Sequence, residues 1–449
     1  MTVIELGDVT LGSRPPGAAE PPEDDRRAVR RFALAAVAVL CLGTVTGSVR
    51  PEPALLRTLW SIPFGLADRY AMTSDALYAA TSASRSRLTA YDLRTGAVRW
   101  SAAMPEPNGW PLTAEAAGVL LLPADRTTKQ VASPTSGSYL AEFYRQTVAV
   151  DAHTGAELWR VPGDAFAVSG RSVLLVDRGG DRGDALLAFR LVDLPGGDVR
   201  WSRTTAADTV QVALGGADQL NPDLLATVTA TGQAEVLRLA DGASMSAGHV
   251  DYRGGSPEDG EYVDMFLDAR NLYLRLAGGR GDSLTAYALG TLRQVWRRGD
   301  TARVTAYPCG AVLCSLTNPG MATFDPATGR ELWSDPRTQS AWPAGPGRLL
   351  STDRGPEEYT LVDEATGRRI ARLAGGQPIP DTAGTVVYLV RDTHDPRYRT
   401  AVSRIDLASG RLGLRGTIPR IGGDFGCTAT ADRLACPTVS GRLVVAEVG

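Results

Sequence analysis

From Trp60 to its C-terminal residue, the chain alternates short apolar runs with turn-forming clusters, and the apolar positions recur with the two-residue period of strands. Leu88-Thr89-Ala90-Tyr91 and Thr147-Val148-Ala149-Val150 each run straight into an Asp. The reversal that follows is Asp-x-x-x-Gly, with a Trp four residues after the Gly. The fullest copies are Asp92, Gly96 and Trp100; Asp151, Gly155 and Trp159; and Asp325, Gly329 and Trp333. The Asp carboxylate can accept the turn's own N–H groups. The Gly supplies the positive φ of a tight reversal, and the Trp brings a large apolar surface that two sheets can share. Weaker copies keep part of the pattern. Asp193, Gly197 and Trp201 form one; Asp363–Gly367 and Asp406–Gly410 carry Ala371 and Leu414 in the Trp position. Trp296 follows a unit without Asp or Gly, and Leu239–Gly242 is the most degraded.

A shorter apolar run precedes many copies: Gly118–Leu122, Ser172–Val176, Asn271–Leu276, Ala311–Ser315 and Thr385–Val390. Each unit therefore offers about four strands, one blade of a propeller. No 3.6-residue periodicity interrupts the series, so the expected fold class is all-β: eight four-stranded blades, or nine. In the eight-blade count the weak hairpin at Ala234–Gly242 is an insertion. The final stretch, Gly441–Gly449, resembles the strand before a turn and lacks the outer strand with its Trp. That strand is found at the other end, in Leu55–Pro63, so Trp60 is expected to clasp the ring by pairing the two ends of the chain, which removes an exposed sheet edge.

The Leu-x-Ala-x-Asp-x-x-Thr-Gly-x-x-x-Trp pattern resembles the PQQ-like β-propeller repeat of quinoprotein alcohol dehydrogenases and of the outer-membrane-assembly scaffold lipoprotein. The resemblance covers the chain from about Trp60 onward. It implies a fold rather than an activity. The enzymes of that superfamily set an adjacent Cys-Cys disulfide against a quinone and ring a calcium ion with acids. This chain has no Cys-Cys pair, and its turn Asp residues correspond to structural positions. The resemblance therefore implies a non-enzymatic scaffold or ligand sensor with no cofactor. A quinone-dependent oxidoreductase working in the propeller funnel is the alternative.

Ahead of the repeats, Phe32–Val49 is uncharged and long enough, at about 27 Å as a helix, to cross a bilayer. Arg26, Arg27, Arg30 and Arg31 stand directly before it, and only Arg50 follows closely. This asymmetry predicts a single-pass anchor with residues 1–31 as a disordered cytoplasmic tail, a short linker over 50–54, and an extracellular propeller over 55–449. A cleaved signal peptide is the competing reading. The opening Met1–Gly12 alternates enough to add to a partner's sheet edge.

Exported domains favour disulfides. Cys314 lies eleven residues before Asp325, and Cys436 eleven before Glu447, so both fall at the same strand position of two blades. Each has a partner just upstream, which predicts Cys309–Cys314 and Cys427–Cys436 bridges. Four reduced core thiols and a zinc site are the alternatives. The net charge of −3 offers no nucleic-acid surface. Lys129 is the only lysine, so Arg carries nearly all the positive charge, a bias of composition rather than of chemistry.

Other polar groups carry little catalytic signal. His153, His249 and His394 are far apart in sequence. Asp177, Asp181 and Asp184 could surround calcium but fit no known loop spacing and read as a solvated hairpin. Arg280-Gly281-Asp282 spells an adhesion tripeptide at an expected turn. Two inserts are better placed to bind a protein or cell-envelope ligand: Arg126–Arg145, with Tyr139, Phe143 and Tyr144, and Asp392–Thr400, with His394, Arg397, Tyr398 and Arg399.

Overall fold

Each Asp-x-x-x-Gly turn joins the third and fourth strands of a four-stranded antiparallel sheet. The computed structural model describes residues 55–449 except 83–85, 107–108, 134–136, 180–184, 217–221, 253–261, 278–281, 300–304, 318, 354–357, 374, 395 and 423–425. Among the described residues nine such sheets are present. The first blade is β2 (Arg69–Met72), β3 (Ala76–Thr81), β4 (Arg87–Asp92) and β5 (Val98–Ala103), and seven more follow in the same simple order. The ninth is composite: β34 (Thr428–Ala429), β35 (Arg433–Thr438) and β36 (Arg442–Glu447) are completed by β1 (Thr58–Pro63). Nine is the larger of the two expected counts. The hairpin around Ala234–Gly242 is the outer half of a complete fourth blade, β14 (Thr209–Gly215) through β17 (Ser244–His249), rather than an insertion. Only its turn chemistry had decayed.

Propeller sheets stack face to face, so the middle strands are covered on both sides. This is why the short runs before each turn are apolar without alternation. Val173 to Val176 and Leu272 to Leu274 are all buried. Nine apolar clusters result, each shared by two consecutive blades. The cluster that shuts the ring joins Phe64, on the connection from β1 to β2, and Tyr70 and Leu77 of the first blade to Ala435, Leu443 and Val445 of the last. Across this seam the Tyr70 hydroxyl lies 3.0 Å from the carbonyl oxygens of both Gly426 and Ala435. Burial pushes its pKa up to about 12.

The clasp pairs Trp60 with Val445 and Ile62 with Leu443. At the ends of this pairing Arg57 meets Glu447 at 3.3 Å, and the Arg442 guanidinium lies 2.7 Å from the Ser61 hydroxyl. Among the described residues no helix is long and apolar enough to cross a membrane. The expected anchor Phe32–Val49, the tail before it and the linker to residue 54 lie outside the described residues.

Candidate interaction faces

The strand order gives the ring two unlike ends. Turns between first and second strands and the Asp-x-x-x-Gly turns lie at one end. The connections between second and third strands, and those from blade to blade, lie at the other. The first will be called the turn end and the second the loop end.

At the turn end the repeat residues form a lock between neighbours. Asp92 Oδ1 accepts the backbone N–H groups of Arg94 and Thr95 at 3.1 and 2.9 Å and the Thr95 hydroxyl at 2.9 Å. Arg99 reaches back to Asp92 Oδ2 at 2.8 Å and to Asp75 at 2.7 Å. The Arg99 hydrogen bond, helped by those from Thr95 and opposed by some desolvation, holds the Asp92 carboxyl at about 2. Asp151 caps its turn in the same manner through His153 and Thr154, and Asp325 through Ala327. The Gly residues 96, 155 and 329 have φ of +71°, +73° and +65°.

Each Gly is also the floor on which the preceding blade's Trp lies. Trp60 covers Gly96, Trp100 covers Gly155 and Trp296 covers Gly329; Trp159, Trp201 and Trp333 do likewise over Gly197, Gly242 and Gly367. In every case the indole N–H donates to the carbonyl of the residue after the turn's first position, from Leu93 at 3.0 Å for Trp60 to Glu364 at 2.8 Å for Trp333. A β-bulge at the preceding residue aims each ring. The register slips at Arg99 before Trp100, at Leu158 before Trp159 and at Leu332 before Trp333.

At the loop end one element dominates. Strands β7 (Val119–Ser133) and β8 (Gly137–Asp151) of the second blade have fifteen residues each and stay paired from Val119↔Asp151 out to Ser133↔Gly137. The insert Arg126–Arg145 is therefore an extension of the blade itself rather than a loose loop. Asp125, at φ +55°, marks where the extension begins. Arg126 pairs with Glu142 at 3.1 Å, and its N–H donates to Glu106 at 2.9 Å. The Arg178 guanidinium stacks over the Phe143 ring at 5.9 Å, fastening the hairpin base to the third blade. Burial raises the Tyr144 phenol and the Asp164 carboxyl, the latter partly offset by Arg178. Near the same end Arg69 lies over the exposed Trp110 ring at 5.3 Å. Trp110 and Arg69 carry no repeat signature, which is why pattern reading passed over them. Tyr139 lies in the part of the hairpin whose side chains fall outside the described residues. Tyr398, in the second insert, is exposed at φ +61°.

The remaining singled-out residues do not converge. His153, His249 and His394 stand exposed on the second, fourth and eighth blades. Asp177 is engaged by Arg190, whose Nη1 lies 2.6 Å from its Oδ1, while Asp181, Asp184, Arg280 and Gly281 lie outside the described residues. Among the described residues no group of three His, Cys, Asp or Glu side chains could hold a metal ion. Cys309–Cys314 and Cys427–Cys436 are bonded, with Cα atoms 5.5 and 4.4 Å apart. Cys314 and Cys436 occupy the second strand of the sixth and ninth blades, β23 (Val312–Leu316) and β35. The arginines are more engaged than composition alone suggested: Arg369 bridges Asp335 and Asp353 at 2.8 Å each.

Residues 84–259 match the PQQ-type family described as outer membrane protein assembly factor BamB. No curated protein sequence matches the chain. Among solved structures, the chain is similar to a eukaryotic initiation factor at 11% identity, over 82% of this chain and 90% of that one, with a TM-score of 0.53. It also aligns with BamB from Moraxella catarrhalis at 14% identity, over 88% and 100% of the two chains, at a TM-score of 0.41. The C-terminal WD40 domain of Sif2 aligns at 10% identity, over 89% and 100%, at 0.42. At 11% identity the likeness to the initiation factor is one of fold. The repeat turns with their tryptophans build a nine-bladed β-propeller, and the PQQ-type family match covers residues 84–259 of it.

Proposed function

We propose that the chain is a membrane-tethered, extracytoplasmic propeller that serves as a protein-interaction scaffold. The observation that carries this reading is the β7–β8 hairpin. It projects from the loop end, whereas β1 begins at the turn end, where β36 finishes. A paired hairpin offers a partner two strand edges and aromatic contacts with little ordering cost. The matched family is named for outer membrane protein assembly, which agrees with a role in holding other proteins.

The test is photo-cross-linking in native membranes, with the probe amino acid placed at exposed hairpin positions and, as a control, on the outer strand of the sixth blade. Discrete adducts from the hairpin alone are expected. They should vanish when Arg126–Tyr144 is replaced by an Asn-Gly turn. Equal adducts from both positions, or none from the hairpin, would refute the scaffold reading. Carbonate extraction tests the tether separately: the full chain should stay in the pellet.

A further inference from the structure

The eighth blade breaks the lock in a way that opens its flank. In the other eight blades the bulge of the outer strand lies immediately before the Trp position. In β33 (Leu412–Pro419) it lies immediately after that position: Ser403 pairs with Leu414 and Val402 with Gly416, leaving Arg415 as the extra residue. No Trp covers the seam, because Leu414 holds that place, and the ninth blade presents no Asp-x-x-x-Gly turn to receive one. The result is a cleft of ≈ 620 Å³ on the eighth blade, bounded by Thr385, Val386, Arg404, Asp406, Arg411 and Arg415. Its three arginines are exposed. Among the described residues Arg404 and Arg415 make no ion pair, and Arg411 approaches Asp406 only at 4.0 Å. Leu412 and Leu414 are exposed beside them, the latter at 55%.

The chain enters the propeller beside this cleft. Leu55 bridges to Thr417 in parallel, the Leu56 N–H donates to the Thr417 carbonyl at 3.1 Å, and the Leu55 side chain is 69% exposed. Five residues separate Leu55 from Val49 in the sequence, so the six steps between them reach about 20 Å at full extension. Exposed arginines, two of them without an ion pair among the described residues, flanked by exposed leucines and reached by so short a tether, have the composition of an interfacial membrane contact.

We propose that the cleft on the eighth blade seats on anionic phospholipid headgroups, so that the propeller rests on its turn end at a set orientation. This rests on the tethered reading above. The occupant is the lipid surface: a free anion would be drawn by the arginines but would leave Leu412, Leu414 and Leu55 exposed.

The full chain is placed in nanodiscs of phosphatidylcholine alone or with phosphatidylglycerol, and hydrogen exchange is followed over Arg411–Ile418. In the anionic discs exchange there should slow on the order of tenfold. R404E/R411E/R415E, and separately 0.5 M salt on the unaltered chain (about a 4–5 Å Debye length), should remove the protection while the core strands exchange as before. Equal exchange in the two disc types, in a chain that resists carbonate extraction, would overturn this proposal alone. So would equal protection by inorganic phosphate over phosphatidylcholine discs. Release by carbonate would bring down the tether, and this proposal with it.

Discussion

The indole of Trp60, near the start of the described chain, lies on Gly96 in the first blade's turn, and its N–H donates to the Leu93 carbonyl at 3.0 Å. The strand carrying Trp60 belongs to the ninth blade and is paired with β36 near the other end of the chain. One side chain thus joins the composite blade to the first by the same device that joins blades far from the seam.

A methyl group at Gly96 has nowhere to go. A Cβ there would lie 2.5 Å from Trp60 Cγ, and the +71° φ disfavours any L side chain. Gly96→Ala should destabilise the propeller by about 2–4 kcal/mol, from the clash together with the left-handed backbone. Gly290→Ala is the control, since a Cβ there meets nothing within 4 Å; its effect should stay within about 0.5 kcal/mol. Urea unfolding of the two variants checks both values.

Removing the chain up to Pro63 deletes β1 and leaves β36 as an open edge. The backbone groups of Leu443 to Val445 would then be free to pair with another copy. The truncated chain should lose its monomer peak in size-exclusion chromatography with light scattering and form larger species. Adding the missing strand as a peptide, Leu55–Phe64, should restore the original size. A truncated chain that stays monomeric and melts as the full chain does would show that β1 does not hold the ring.

The turn chemistry also sets an acid limit. Asp92 titrates at about 2 in the folded chain, below its ordinary 3.8, so its contribution is complete above about pH 4 and is lost as the pH falls through 2. Asp92→Asn keeps an acceptor for the turn but loses the charge that faces Arg99. At pH 6 the variant should be less stable by about 1 kcal/mol, allowing for solvent screening. That gap should close as the pH drops towards 2. A gap that stays constant from pH 6 to 2 would mean that the carboxylate charge contributes nothing.

The turns were legible because each needs particular residue types: a short acceptor, a positive φ and a flat apolar ring. Asp92, Gly96 and Trp100 announce all three in a ten-residue window. The clasp was legible for the same reason, since a lone Trp strand at one end matched a missing one at the other. Blade number was harder. In the fourth blade Arg238 stands where the Asp should be, and backbone pairing carries the turn, with the Gly242 N–H donating to the Arg238 carbonyl at 2.9 Å. The two inserts of the loop end stood out by their aromatic and arginine content, but the Arg69–Trp110 contact and the cleft on the eighth blade were not legible. They depend on which strands become neighbours and on a bulge displaced by two residues, and neither leaves a local pattern.

The fourth and fifth blades show what happens when the lock is rewritten. Ser246 holds the Trp position, and its hydroxyl donates to the Leu289 carbonyl, the bond an indole makes elsewhere. Opposite it the turn Gly is replaced by Leu292, buried and at φ +51°, so a side chain from the receiving blade fills the volume that the donor blade has vacated. The two changes make sense only together. Ser246→Trp alone drives an indole into Leu292 and should cost about 1–3 kcal/mol by overpacking. Leu292→Gly alone leaves a cavity and should cost about 2–4 kcal/mol, lessened by relief of the left-handed backbone. The double variant rebuilds the Trp-on-Gly contact of the other blades and should be more stable than the sum of the singles by about 1–3 kcal/mol. Additive losses in a urea double-mutant cycle would mean that the two positions were replaced independently and that the lock is not a unit.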